Sequence, residues 1–398
     1  MKTLLQIPLL LVAMFLTSIP ISAYDFEVDG IYYNILDETA KTVEVTYRTA
    51  HLFGEINTYA GEINIPETTK NQNSNITYTV VGIGGRAFEC CGSLTKITIP
   101  ATITRINDYA FNGCFNLKEI HICDIGKWLK IDFGESSSNP LCYDGGLYLN
   151  SKLVTNLHIP SDIDIIKKYA FYNYEYLESI TGGDNVVAIE QNAFYGCWKI
   201  TELNIPKSTV SIGELAFYWN SSVETITIPE SIKHIGLSSF YACKSLSTLY
   251  FNATDWNTVA SGPNAPFGED TPIRIVYIGE KVNSVPNYLF DRCNKIAAIY
   301  MSNSIPPICG ASTFITTVKE NAILYVPDGS IDEYQKANVW KEFKNITQIS
   351  ASGLKSIKIQ NLEEVARYDI HGRLLPEPTK GINIVKYSDG TTRKEIVK

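Results

Sequence analysis

The sequence predicts a β-rich solenoid, in which short strands wind at a fixed period into a curved parallel sheet joined by short turns and closed by a cap at each end. Three observations predict it. Phe88, Phe111, Phe171, Phe194, Phe217, Phe240 and Phe290 recur with spacings of 23, 60, 23, 23, 23 and 50 residues, and self-similarity at a fixed period marks a stacked-repeat architecture. Around each Phe the chain reads I-P, then I or V, then A-F, then Cys or Asn three residues on, then L-x-x-I-x-I leading to Pro again. The chain of 398 residues is 45% hydrophobic and 19% charged, enough apolar material for a packed core, which excludes global disorder.

Each element follows from local chemistry. Lys2, the apolar run Leu4 to Leu16, and Ser22-Ala23 before Tyr24 read as a secretory signal peptide over residues 1–23. No Cys precedes Cys90, which argues against a lipid anchor on the new N-terminus. No later run reaches the roughly 18–20 apolar residues needed to span a bilayer. In residues 24–58, Phe26 and Val28 alternate up to Asp29-Gly30, and Ile31, Tyr33 and Ile35 alternate after it. Asp-Gly suits a type I′ hairpin turn, so this segment reads as an N-terminal β cap.

The rungs occupy residues 59–316. Leu94-x-x-Ile97-x-Ile99-Pro100, Ile200-x-x-Leu203-x-Ile205-Pro206 and Val223-x-x-Ile226-x-Ile228-Pro229 place alternate side chains inward on a short strand, ended by a residue with no ladder donor. One rung cannot bury its apolar face alone, so copies must stack. Two deviant rungs, near 123–150 and 252–280, fill the long spacings: Trp128 followed by Asn139-Pro140-Leu141, and Trp256 followed by Pro266-Phe267. Loops that interrupt a uniform surface are candidates for recognition, which singles out Trp128 and Trp256. In residues 317–347, Leu324-Tyr325-Val326-Pro327 reads as the last strand. Ser330-x-x-Glu333 matches a capping box for a short closing helix through Tyr334, Trp340 and Phe343. Residues 348–398 form a polar linker and a final basic segment.

Composition and motifs narrow the function. A net charge of −8 disfavours nucleic acid, which needs clustered Lys and Arg. Five isolated His and no Cys-x-x-Cys give no support for a metal or other cofactor. Nucleophile and phosphate motifs, G-x-S-x-G, H-E-x-x-H and the P-loop, are absent from the sequence, so no catalytic residue is named. Cys91, Cys114, Cys197, Cys243 and Cys293 all stand three after the repeat Phe. They read either as buried thiols filling a packing slot or as a bridge between neighbours such as Cys91 and Cys114. Tyr172, Tyr195, Tyr218 and Tyr241 each follow the Phe and form a stripe, either a surface for sugar rings or protein partners or a cover for the turn. Outward strand positions make two columns. Lys96, Glu119, Glu202, Thr225, Thr248 and Ala298 form one, and Thr98, His121, Asn204, Thr227, Tyr250 and Tyr300 the other. This face resembles a macromolecular contact surface more than a cleft, with Tyr250 and Tyr300 as candidate ligand residues; Thr filling a solvated face for its β propensity is the alternative.

The repeat I-P-x-x-I-x-x-I-x-x-x-A-F-x-x-C-x-x-L-x-x-I-x-I-P, the Trp-to-Asn-Pro-Leu rungs, and the Tyr325-Val326-Pro327, Tyr334, Trp340, Phe343 ending resemble the BspA-like leucine-rich repeat proteins of Bacteroidota over about residues 59–346. Asp25-Phe26-x-Val28-x-Gly30-Ile31-x-Tyr33 resembles the leader of such repeats. Tyr368-Asp369-Ile370-His371-Gly372-Arg373, Lys380 to Val385 and Lys394 to Lys398 are similar to a type IX secretion sorting domain, with Asn383 where an aromatic is usual. The resemblance implies a β-rich leucine-rich repeat solenoid that is secreted or held at the outer-membrane exterior of a Gram-negative cell. It implies that the protein binds an extracellular protein or glycan in adhesion, without catalysis. An enzyme or enzyme subunit acting on extracellular polymer, and a structural spacer of a surface layer, are the alternatives.

Overall fold

A computed structural model describes residues 23–48, 59–254, 265–269, 271–349, 364–369, 373–387 and 392–397. The expected signal peptide lies outside the described residues. The chain divides into two compact units, residues 1–153 and 154–398.

The first unit begins with Phe26–Val28 paired antiparallel to Ile31–Asp37, with Val28 opposite Ile31. Asp29 and Gly30 between them both have positive φ, 51° and 79°, as a type I′ turn requires. Thr42–Thr46 pairs antiparallel to Ile31–Asp37 and parallel to Ile76–Ile83, and parallel pairing continues through Arg105–Ile106 to Asp132–Phe133. A second sheet runs in parallel through Gly61–Asn64, Leu94–Thr98, Glu119–Ile122 and Gly146–Leu149. Between the sheets Phe88 stacks on Phe111 at 5.0 Å. Tyr59 starts this aromatic column at 4.6 Å from Phe88, and its hydroxyl donates to Thr46 O and accepts from Tyr32 N.

In the second unit seven parallel strands form the long sheet: Glu202–Asn204, Thr225–Ile228, Thr248–Phe251, Ile275–Ile278, Ala298–Met301, Ile323–Val326 and Asn345–Gln348. The last of these corrects the sequence reading, which ended the sheet at Val326: the alternation in Asn345–Gln348 carries only one apolar residue, Ile346, so periodicity could not show it. Two-residue strands, Ile165–Ile166, Ala188–Ile189, Ser211–Ile212 and His234–Ile235, form a second parallel ladder. Asn156–Ile159 and Ser179–Gly182 pair only with each other. Where this pair ends, Gly182 and Gly183 are both left-handed, at φ 74° and 79°, and a Cβ on Gly182 would sit 2.5 Å from Ile159 O on the paired strand.

The turns make a third ladder, which positions everything else. Phe171, Phe194, Phe217, Phe240, Phe267, Phe290 and Phe314 stack at 5.3–6.2 Å with planes within 15° of parallel. The deviant rung thus supplies Phe267 to the same column. Their backbones bond from rung to rung, Phe171 N to Ala193 O, Phe194 N to Ala216 O, Phe217 N to Ser239 O and Phe240 N to Pro266 O at 2.7–2.9 Å. Two left-handed residues flank the Phe in most rungs. Arg86, Tyr109, Tyr169, Asn192, Leu215, Ser238 and Tyr288 precede it by two, and Cys90, Gly113, Asn173, Gly196, Trp219 and Ala242 follow it by two.

The Phe carbonyl then faces the interior, and a buried acceptor left without a donor is costly. Cys114 Sγ donates to Phe88 O at 3.0 Å, Cys197 to Phe171 O at 3.3 Å, Asn220 Nδ2 to Phe194 O at 2.9 Å and Cys243 to Phe217 O at 3.5 Å. In the deviant rung Thr271 Oγ1 serves Phe240 O at 3.2 Å. At Cys114, Cys197, Asn220 and Cys243, Cys and Asn therefore share one role as a small donor. The nine cysteines are free thiols. Burial pushes the Cys91 and Cys243 thiols up to about 12, and raises those of Cys114, Cys197 and Cys293 as well.

At the end of the second unit Phe314 meets Trp340 and Phe343 at 5.9 and 5.4 Å. Tyr334 Oη donates to Asn303 O and Trp340 Nε1 to Pro307 O, at 2.8 and 2.7 Å. The helix Ile331–Lys336 carries Tyr334, but Ser330 makes no side-chain cap. Its backbone is already helical, at φ −100° and ψ −4°, and a capping side chain needs an extended N-cap residue. Residues Glu364–Asp369, Leu374–Leu375, Gly381–Tyr387 and Thr392–Val397 form a four-stranded antiparallel sheet. Within it Asn383 is buried, bonded to both backbone groups of Thr379 and to Arg367 Nη1.

Three outcomes follow. Phe194→Ala should cost about 3–5 kcal/mol through a core cavity, read by denaturant unfolding of the full chain. Asn220→Ala should cost about 1–3 kcal/mol by orphaning the Phe194 carbonyl, and Asn220→Cys should recover most of that loss. Under native conditions a thiol reagent at pH 8 should label Cys90 and Cys123, both exposed, and spare the five buried repeat cysteines until denaturant is added.

Candidate functional site

The outward side of the long sheet in the second unit is built by register. Strand side chains alternate, so when Leu249, Val276, Ile299 and Leu324 point into the core, their neighbours on both sides point out. One outward column is Thr225, Thr248, Ile275, Ala298, Ile323 and Asn345; the other is Thr227, Tyr250, Tyr277, Tyr300, Tyr325 and Thr347. The four tyrosines stack face to face at 4.7, 4.9 and 4.5 Å. Burial raises the phenol pKa values of Tyr250, Tyr277 and Tyr300. Tyr277, Tyr300 and Tyr325 stay partly exposed and Ile323 is 36% exposed, whereas Tyr250 is only 5% exposed. Tyr250 is thus the buried base of the ladder, and Ile275, Tyr277, Ala298, Ile323 and Tyr325 are the outward residues beside Tyr300 that reach solvent.

The corresponding face of the first unit is polar. Its columns hold Glu62, Lys96, Glu119 and Gly146, and Asn64, Thr98, His121 and Tyr148. Lys96 pairs with Glu62 at 3.3 Å, and His121 with Glu119 at 2.9 Å while stacking on Tyr148 at 4.9 Å. An exposed ion pair such as Lys96–Glu62 contributes little; both contacts lie on a polar face.

Along the turns, Tyr172, Tyr195, Tyr218 and Tyr241 stack at 4.8, 4.9 and 5.5 Å, with planes 22°, 6° and 9° apart. Each ring in the middle of such a ladder has both faces covered by its neighbours. What reaches solvent is a row of edges and hydroxyls, so the stripe cannot stack sugar rings face-on along its length. The same turns hold Trp198 and Trp219, which the sequence reading passed over because neither recurs with the period. Among the described residues no three His, Cys, Asp or Glu side chains converge to hold a metal ion, and no helix is long and apolar enough to cross a membrane.

A model of the BspA type leucine-rich repeat region matches residues 58–130, 146–261 and 257–334 in six copies. The chain belongs to the BspA-type leucine-rich repeat family. No curated protein matches it. Among solved structures it is similar to a leucine-rich cell surface protein of Faecalibacterium prausnitzii, 19% identical, covering 83% of this chain and 97% of that one with a TM-score of 0.40. It is also similar to a leucine-rich repeat protein of Bacteroides ovatus, 18% identical over 82% and 100% with a TM-score of 0.27, and to the pneumococcal vaccine antigen PcpA, 15% identical over 81% and 96% with a TM-score of 0.26.

For this BspA-type repeat protein, the deviant rung at Trp128 is anchored and not displayed. Trp128 lies in the helix Ile125–Leu129, is 1% exposed and meets Phe133 edge-on at 5.4 Å. Asp124 caps the helix by accepting from Lys127 N, and Asn139 caps the next turn by accepting from Leu141 N. The interruption is filled with its own core, which the indole supplies. Trp256 lies outside the described residues. Trp128→Ala should therefore act on stability, costing about 3–5 kcal/mol in denaturant unfolding, and leave binding by the folded fraction unchanged.

Proposed function

We propose that this is an exported, surface-located repeat protein that binds another polypeptide through the outward face of the long sheet in residues 154–398, and that it is not an enzyme. The observation that carries the reading is the plane made by Ile275, Ala298 and Ile323 beside Tyr277, Tyr300 and Tyr325. These aliphatic residues sit side by side on three neighbouring strands, next to part-exposed tyrosines. Contiguous exposed apolar surface marks an interaction site, and tyrosine with aliphatic neighbours is the composition of interface cores. Because the rings stack, the plane offers methyl groups, ring edges and a row of hydroxyls one rung apart. That mixture suits the apolar side chains and backbone carbonyls of a polypeptide. Rigid rungs also lower the ordering cost of binding.

Export rests on the N-terminal apolar segment, and the C-terminal antiparallel sheet is the part we assign to type IX sorting and surface attachment. Adhesion to host or bacterial surface proteins is the role these features fit together.

Full-length protein probed against extracellular matrix proteins and whole bacterial cells should show saturable binding. Tyr300→Ala and Ile323→Lys should each weaken it at least tenfold with the melting temperature held within a few degrees. Wild-type affinity in both variants would sink the assignment of this face.

A further inference from the structure

On the turn edge of the second unit, Trp198 and Trp219 stand 6.4 Å apart with their planes 74° from parallel. Trp219 is 43% exposed and Trp198 is half-buried. Trp219 also holds the left-handed slot two after the repeat Phe, at φ 62°. Other rungs place Gly113, Gly196, Asn173, Ala242 or Cys90 there. The left-handed turn belongs to the rung design, and the other rungs meet it at this slot with smaller residues. An exposed indole here is therefore something the turn does not require.

We propose that Trp219, flanked by Trp198, is a carbohydrate subsite that stacks one pyranose ring. The perpendicular arrangement decides the ligand class. In the tyrosine ladders each inner ring covers its neighbours' faces, whereas the two indoles, at 74°, do not stack and Trp219 is 43% exposed. The electron-rich face of an aromatic ring attracts the weakly positive C–H groups on the apolar side of a pyranose. Hydrogen-bonding groups lie on the same turns. Tyr195 and Tyr218 carry hydroxyls one rung apart, and the Lys199 ammonium is held over the Tyr176 ring at 5.1 Å. Size argues the same way. A stable polypeptide contact needs about 800 Å² from each partner, far more than two partly buried indoles present, whereas one sugar ring needs a single indole face.

The site is distinct from the sheet face, so the two fail separately. Full-length protein should be tested on immobilised cellohexaose, laminarihexaose, xylohexaose and yeast α-mannan, with tryptophan fluorescence titration for any hit. At least one saccharide should bind, with Kd raised tenfold or more by Trp219→Ala, partly restored in Trp219→Phe, and unaffected by Tyr300→Ala. Trp219→Ala should fold, since Ala242 occupies the same slot in the next rung, and circular dichroism checks this. Absence of binding to all four saccharides, or equal binding by folded Trp219→Ala, overturns the proposal. So does a Trp219→Ala defect confined to a gelatin probe, which would make the edge a polypeptide site.

Discussion

The structure depends on one constraint: a 23-residue rung must bring its Phe, its Phe amide and its Phe carbonyl into line with those of the next rung. The stacked rings fill the interior, the amide bonds to the residue before the next Phe, and the carbonyl receives a side-chain donor from the rung beyond. Each of these needs a fixed rise, so the strands of both sheets inherit their register from the turn. The two left-handed residues that flank the Phe serve the same end, since they let a tight turn return both polar groups of the Phe to the column. The donor position explains Cys114, Cys197 and Cys243: they are buried free thiols that fill the packing slot and also donate to a Phe carbonyl, a bond that Asn220 and Thr271 make in other rungs.

A scaffold fixed by its inward residues leaves the outward ones free to differ, and function in such a molecule is written there. The two units use that freedom differently. The first carries charged and polar side chains outward, and the second carries tyrosine with isoleucine. The period itself shapes what aromatic residues can do. Placed at the same position in consecutive rungs they must stack about one rung apart, which hides their faces and shows their edges. An aromatic residue that departs from the period escapes this, as Trp219 does. Repeated tyrosines therefore make a platform, and an unrepeated tryptophan can make a subsite.

The period, the inward Ile, Leu and Phe positions and the composition of the outward columns were legible in the sequence because each is a pattern of residue types at fixed spacing. Phe267 and Phe314 were not seen as members of the column, since insertions shift them off the period while their rings still reach the stack. Trp128 was read as displayed because it sits in an irregular segment; its burial against Phe133 is a tertiary fact without a local signature. The left-handed turn residues were hidden because Leu215, Trp219 and Ser238 occupy positions where glycine would have announced them. Ser330 matched a capping motif, but the preceding turn had already fixed its backbone. Trp198 and Trp219 were passed over for the opposite reason, since a search for recurrence discards what occurs once.

The central claim is that the turns are a hydrogen-bonded ladder as firm as the sheets, and native-state hydrogen exchange tests it most directly. The amides of Phe171, Phe194, Phe217 and Phe240 should exchange as slowly as those of Leu203, Ile226 and Leu249 in the long sheet, opening only with global unfolding. Exchange of the Phe amides at rates typical of surface turns, while the strand amides stay protected, would contradict the account.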